Sequence, residues 1–124
     1  MTQVLVTRPE QDAASWVTSI QKAGFEPIQF PLLDLKPILA PSDVPAVLAK
    51  IQSSRAVMFV SANAVRFFMA ARPNGLDLRA CRAWSTGPGT QAALLACGWP
   101  ADQIDSPDAD SSQFDSEALW VLVA

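Results

Sequence analysis

Histidine and tyrosine are both missing from this 124-residue chain, which narrows its chemistry before any motif is considered. Without His there is no Ser–His or Cys–His nucleophilic pair, and the commonest general base near neutral pH is gone. Acid–base work within the chain falls to carboxylates, Lys, Cys or bound water. Cysteine is scarce as well: Cys81 and Cys97 stand alone without CxxC spacing. That argues against a zinc site or a disulfide framework and leaves two thiols expected to be buried or half-buried. No charge-free apolar run approaches the roughly 20 residues of a membrane span. The N-terminus enters a strand pattern without a basic and then apolar leader, so no membrane and a cytoplasmic location are expected. Positive charge is thin, with 9 Lys and Arg against 12 Asp and Glu and a net charge of −3. The basic residues are scattered rather than clustered, which excludes the electrostatic footprint of a nucleic-acid binder.

What is present is a composition 50% hydrophobic and 17% charged, that of a globular protein of one ordinary domain's length. Two strand-to-helix junctions stand out, Phe59-Val60-Ser61-Ala62-Asn63-Ala64-Val65 and Trp84-Ser85-Thr86-Gly87-Pro88-Gly89-Thr90-Gln91. Each runs an apolar strand into a small polar loop that opens a helix. Such a junction gathers backbone N–H groups, short hydroxyls and the positive end of a helix dipole, a setting suited to carboxylates or phosphates. The second junction has neither the Lys of a P-loop nor the spacing of a dinucleotide fingerprint, so a nucleotide is disfavoured.

The remaining pattern is that of an α/β protein with parallel sheets flanked by helices. Gln3 to Thr7 is a short apolar strand suited to burial in a parallel sheet, and Ala13, Trp16, Val17, Ile20 and Ala23 mark one face of a helix closed by Gly24. A second strand spans Phe25 to Phe30, which completes a βαβ unit. Pro31, Pro37 and Pro41 make a stiff connector. Beyond it come a helix from Val44 to Gln52, a strand from Ala56 to Val60 expected to be buried on both faces, and a helix from Ala62 to Ala71 stopped at Arg72-Pro73-Asn74-Gly75. A fourth strand at Arg82 to Ser85, a helix from Gly89 to Cys97 closed by Gly98, a short edge strand near Ile104 and a helix start at Asp115 follow. The chain therefore divides into a β-α-β part of a first lobe at 1–33, an extended proline-rich connector at 34–41 and a partial second α/β lobe at 42–124.

Taken in order, six pieces resemble the N-terminal half of the uroporphyrinogen-III synthase family. They are Val4-Leu5-Val6-Thr7-Arg8-Pro9, Lys22-Ala23-Gly24-Phe25, Pro31-Leu32-Leu33-Asp34-Leu35, the Phe59–Val65 junction, Thr86-Gly87-Pro88-Gly89-Thr90, and Ser116-Glu117-Ala118-Leu119. The resemblance implies a bilobal fold, incomplete in this chain, with the linear tetrapyrrole hydroxymethylbilane held between the lobes. It implies closure of that chain to uroporphyrinogen III with inversion of the terminal pyrrole ring, loss of water and no cofactor. The substrate's eight carboxylates suit the anion-binding junctions. Residue by residue, Ser61, Ala62 and Asn63, together with Thr86, Gly87, Pro88 and Gly89, become substrate-binding turns, and Thr90 matches a family threonine near the reacting end. Arg8 sits at the end of the first strand, where open parallel sheets place ligand contacts, and Ser116 opens a helix beside the cleft. No metal is implied.

Other readings stand beside these. Ser61 and Asn63 are ordinary helix-capping residues, the Gly-Pro-Gly run is an ordinary tight turn, and Arg8 suits a surface ion pair. Trp16, Trp84, Trp99 and Trp120 fit packing better than pyrrole stacking. Asp102, Asp105, Asp108 and Asp110 fit a solvated loop better than a metal site. Family members are about twice this long, and their remaining half supplies a cleft tyrosine. A truncated, non-catalytic relative that binds an anion or a partner is therefore the rival to an enzyme. The incomplete sheet edge and the apolar end Trp120-Val121-Leu122-Val123 favour self-association.

Overall fold

The computed structural model describes residues 1–72 and 76–124. Its elements run β1 (Gln3–Val6), α1 (Glu10–Lys22), β2 (Glu26–Gln29), α2 (Val44–Gln52), β3 (Ala56–Phe59), α3 (Ala62–Ala71), β4 (Arg82–Ser85), α4 (Pro88–Ala96), β5 (Ile104–Asp105) and α5 (Ser116–Val123). The turn expected at Pro73-Asn74-Gly75 lies outside the described residues. Two compact units form, Met1–Ile38 and Leu39–Ala124.

In the first unit β1 and β2 pair in parallel, with Leu5 opposite Ile28, and α1 makes the crossover. Glu10 and Asp12 stand in the first turn of α1 and Lys22 in its last, each matched to the helix dipole. The helix stops at Gly24, whose φ of 86° is open to glycine without penalty. The N–H of Gly24 reaches the Gln21 carbonyl and that of Phe25 the Ile20 carbonyl, which satisfies two orphan acceptors. Val6 and Ala13 are buried. β1 is not enclosed as its apolar pattern suggested: Leu5 is 56% exposed. It shares its face with Ile28, itself exposed, and α1 packs on the opposite side at Val6.

The second unit carries a three-stranded parallel sheet in the order β3-β4-β5. Period-two alternation sorts its residues onto two faces. Val57, Phe59, Ala83, Ser85 and Ile104 share one face, and Ala56, Met58, Arg82, Trp84 and Asp105 the other. The first face holds the core, in which Phe59, Val65, Ala83, Leu94 and Trp99 are buried and Phe68 packs alongside. Phe59 meets Phe68 and Trp99 edge-on at 5.4 and 5.7 Å, the favoured geometry for aromatic pairs. Helices α3 and α4 deliver Val65 and Leu94 to this face. Gly98, at φ 90°, repeats the closing motif of Gly24, with the Trp99 N–H on the Leu94 carbonyl. The cap thus sends Trp99 directly into the core.

Among the described residues, α5 packs against the second face. Leu119 is buried there, and an open groove of about 610 Å³ runs between Met58 and Trp84 on the sheet and Trp120, Val121 and Val123 on the helix. The expectation that β3 is buried on both faces is corrected here: Met58 is 42% and Val60 65% exposed. An apolar strand becomes buried only when something packs on each side, and one short helix does not span three strands. Trp120 and Trp16 are exposed, while Trp99 lies in the core. Arg82 and Asp105, neighbours on this face, form a two-point ion pair at 2.7 and 2.9 Å. Asp102 pairs with Arg79 at 3.1 Å. No helix of the described residues is long and apolar enough to cross a membrane.

Candidate functional site

Because the three strands of the second unit are parallel, their C-terminal ends share one edge, and every segment that follows a strand starts there. Phe59 lies opposite Ser85 in the register, so the two junctions begin about 5 Å apart, one strand spacing. Ser61-Ala62-Asn63 and Thr86-Gly87-Pro88-Gly89-Thr90 are thereby brought side by side.

Ser61 is the N-cap of α3, extended in backbone, and its Oγ accepts the Ala64 N–H at 3.0 Å. This is the capping geometry expected of Ser at a helix start. The hydroxyl proton remains as a donor, and Ser61 itself is exposed. Asn63 Oδ1 accepts from the Arg66 guanidinium at 2.9 Å, one turn along the same helix. A cation is thus held beside the first turn of α3.

The second turn is pinned from beneath by serine hydroxyls. Ser85, fully buried, donates from Oγ to the Gly87 carbonyl at 2.8 Å and accepts the Gly87 N–H at 3.3 Å. Ser106, which follows β5, donates to the same Oγ at 3.2 Å. Ser85 and Ser106 were not among the expected site residues. Ser85 was legible inside the junction motif, whereas Ser106 is 21 residues away and only strand pairing brings it near.

These bonds decide which groups of the turn face outward. The Gly87 N–H is taken by Ser85, and Pro88 has none to give. The first bond within α4 runs from the Gln91 N–H to the Gly87 carbonyl. Gly89 and Thr90 therefore carry the first-turn donors that precede that ladder. Pro88 and Gly89 are exposed, while Thr86 and Thr90 are buried at 8% and 6% exposure.

Gly87 has a steric role too. Its backbone is fully extended, a conformation open to any residue, yet a Cβ there would sit 2.9 Å from Phe114 Cβ. The loop that leads into α5 thus closes directly over the turn. Asp115 then caps α5, its Oδ1 accepting the Ala118 N–H at 2.9 Å. Ser116, exposed, lines the apolar groove with Met58 and Trp84.

In the other unit Arg8 is exposed, its guanidinium carbon 6.0 Å from the centroid of the Trp16 ring, within cation–π reach. Hydrogen bonding to Arg82 holds the Asp105 carboxyl below the usual carboxylate range, and the same bond raises Arg82. Burial raises the Cys81 thiol, which disfavours its thiolate. Among the described residues, no group of three or more His, Cys, Asp and Glu is placed to hold a metal ion.

What the turns offer chemically is donors without a strong acid or base. Backbone N–H groups, hydroxyls and two helix N-termini can fix carboxylate oxygens by position and charge.

The wider comparison agrees with the motifs. A family model described as uroporphyrinogen-III synthase HemD matches residues 14–122. The uroporphyrinogen-III synthase of Chlorobaculum parvum (strain DSM 263 / NCIMB 8327) is 32% identical over 95 residues, covering 73% of this chain. The porphyrin biosynthesis protein HemD of Ruminiclostridium josui is 27% identical over 105 residues, covering 82% of it. The chain spans 37% and 21% of the length of these two curated relatives. With the match running from α1 to α5, through both strand-end turns, the chain belongs to the uroporphyrinogen-III synthase HemD family.

Proposed function

We propose that this chain serves the reaction of a uroporphyrinogen-III synthase, the closure of hydroxymethylbilane to uroporphyrinogen III with inversion of the terminal pyrrole ring and loss of water. The observation that carries the reading is the pair of strand-end turns, adjacent in the register and built from donors, in a chain of that family. Their role is to fix carboxylate arms of the tetrapyrrole through the N–H groups of Ala62, Asn63, Gly89 and Thr90 and the Ser61 hydroxyl. Catalysis of this kind is positional and electrostatic: anchored arms leave the terminal ring free to turn before the bond closes. Ser85 and Ser106 keep the second turn in shape. Arg8 and Ser116 add polar contacts to other parts of the substrate, and Thr90 stands nearest the reacting end.

A second reading is favoured by one observation: the chain lacks Tyr and His altogether. In this reading it binds an anion or a partner without turnover. Isothermal titration with uroporphyrin, an octacarboxylate, beside a coupled synthase assay on hydroxymethylbilane separates the two. Binding with formation of uroporphyrinogen III supports the enzyme. Binding without product supports the binding module, and no binding removes both.

A further inference from the structure

Donors hold carboxylates, but donors alone do not tell one polycarboxylate from another. A tetrapyrrole differs from other polyanions in carrying its arms on flat, electron-rich rings. A site selective for it needs an apolar surface beside the donors. Among the described residues the exposed aromatic side chains are Trp16, Phe25, Phe30, Phe114 and Trp120. The first three belong to the other unit, and Trp120 lines the apolar groove on the second face of the sheet. Phe114 is placed against a strand-end turn.

Its seat is the space that a side chain at position 87 would fill. Phe114 Cβ, Cγ and Cδ1 lie 2.9, 3.5 and 3.7 Å from the place of a Gly87 Cβ, so the ring rests on the turn by one edge. The residue nonetheless stays 45% exposed, in a loop otherwise made of Asp, Ser, Ala, Pro and Gln. The backbone on either side of it is held. The Ser111 hydroxyl donates to the Gln113 carbonyl at 2.9 Å and accepts the Gln113 N–H at 3.4 Å. On the other side Asp115 caps α5 through the Ala118 N–H. A ring kept open on a fixed backbone has little ordering left to undergo when a ligand meets it.

The donors of the turn are close by. The Gly87 N–H is directed to Ser85, whereas Gly89, at most about 7 Å further along the chain, carries a first-turn N–H that precedes the α4 ladder. Ring and donor therefore stand within reach of one pyrrole and its own carboxylate arm.

We infer that Phe114 is a specificity-determining residue of the second turn: its open ring packs on a pyrrole while the N–H groups of Gly89 and Thr90 hold that pyrrole's carboxylate arm. The inference rests on the carboxylate reading of the turns and adds the contact that separates a tetrapyrrole from a ring-free polycarboxylate. Offset-stacked and edge-on arrangements are both open to the exposed part of the ring. Gly87 is what admits the ring to the turn.

The test follows the Phe114 ring protons of the whole chain by nuclear magnetic resonance as uroporphyrin is added, the signals being assigned by their loss in Phe114→Leu. The ring current of the macrocycle shifts these protons further than those of any other phenylalanine, in step with the Gly89 and Thr90 amides. Calorimetry runs beside it. Phe114→Leu, which keeps a Cβ on Gly87 and an apolar side chain but no aromatic ring, weakens uroporphyrin about fivefold. Phe114→Tyr restores the affinity, and neither variant changes the response of the Gly89 and Thr90 amides to tricarballylate, whose carboxylate arms carry no ring. Movement of those amides by uroporphyrin without a shift at Phe114, or equal affinity of Phe114→Leu and the parent, overturns the inference and leaves the carboxylate reading standing. An equal loss for both ligands in Phe114→Leu overturns it as well, by reducing Phe114 to a prop for the turn. Amides of Gly89 and Thr90 that do not respond to uroporphyrin at all remove the inference and the reading together.

Discussion

Replacing Gly87 by alanine isolates the close approach between the second turn and the loop before α5. The backbone of Gly87 lies at φ 179° and ψ −178°, so alanine adopts it without conformational strain. The cost is steric. The new Cβ stands 2.9, 3.5 and 3.7 Å from Phe114 Cβ, Cγ and Cδ1, where carbon atoms prefer about 3.5–4.0 Å. A rotamer change relieves the ring contacts but not the first, because Phe114 Cβ is fixed to its own backbone. The loop or the start of α4 must move by roughly half an ångström or more, and overpacking of this kind costs about 1–3 kcal/mol. Alanine is also a poorer N-cap than glycine. Against this, the unfolded chain loses entropy, a gain of about 0.4–1 kcal/mol for Gly87→Ala. The net expectation is destabilisation of about 1–2 kcal/mol, read as a shift in the urea midpoint by far-ultraviolet circular dichroism. The same measurement on Phe114→Ala and Phe114→Gly backgrounds identifies the cause. Alanine keeps the offending Cβ and leaves the penalty in place, whereas glycine removes it and cancels most of the loss. A Gly87→Ala variant as stable as the parent, or equal rescue by both Phe114 variants, refutes the contact.

Three further outcomes are expected. Ser61→Ala removes the cap on the Ala64 N–H and costs about 1 kcal/mol, while Ser61→Asp keeps the cap. The aspartate nevertheless weakens uroporphyrin binding by titration, because it sets a negative charge beside the proposed carboxylate site; unchanged affinity removes Ser61 from it. Asp105 is held below its ordinary acidity by Arg82, so the stability it contributes is complete above the unfolded carboxylate value and is lost as pH falls through its lowered folded value. Asp105→Asn, at this part-exposed pair, is expected to cost about 1 kcal/mol at neutral pH. Denaturation across pH should show its gap to the parent closing in acid; a gap that widens there contradicts the assignment. Leu94→Ala, at 0% exposure between α4 and the aromatic cluster, should cost about 2–5 kcal/mol by the same unfolding assay, and a loss below 1 kcal/mol denies Leu94 its place in the core.

Much of the fold is legible from local signals because local physics sets them. Gly24 and Gly98 mark helix ends since a left-handed residue is needed there, and both take it. Ser61 and Asp115 mark helix starts since each supplies an acceptor to an orphan N–H, and both do so. The apolar strands β1 and β3 announce parallel sheets, and parallel they are. Burial is where the pattern misled. Met58, Val60 and Leu5 are as apolar as Phe59 and Val6, but whether a residue is enclosed depends on what packs above it. That information is not carried by the strand itself. The candidate site divides in the same way. The two turns are visible as motifs, and their adjacency follows once β3 and β4 pair. The Ser106–Ser85 bond and the Phe114 contact with Gly87 join segments 21 and 27 residues apart, and no spacing rule links them. Which N–H groups of the second turn face outward is decided within the turn, by Ser85 accepting the Gly87 N–H and by Pro88 having none.

The account rests on the two turns acting as one carboxylate-binding surface, and an amide chemical-shift titration with uroporphyrin tests that most directly. The largest perturbations are predicted at Ala62, Asn63, Gly89 and Thr90, saturating together with a single affinity, while Gly87, bonded to Ser85, moves little. Perturbations confined to Trp84, Leu119 and Trp120 along the apolar groove, or separate saturation of the two turns, would contradict it.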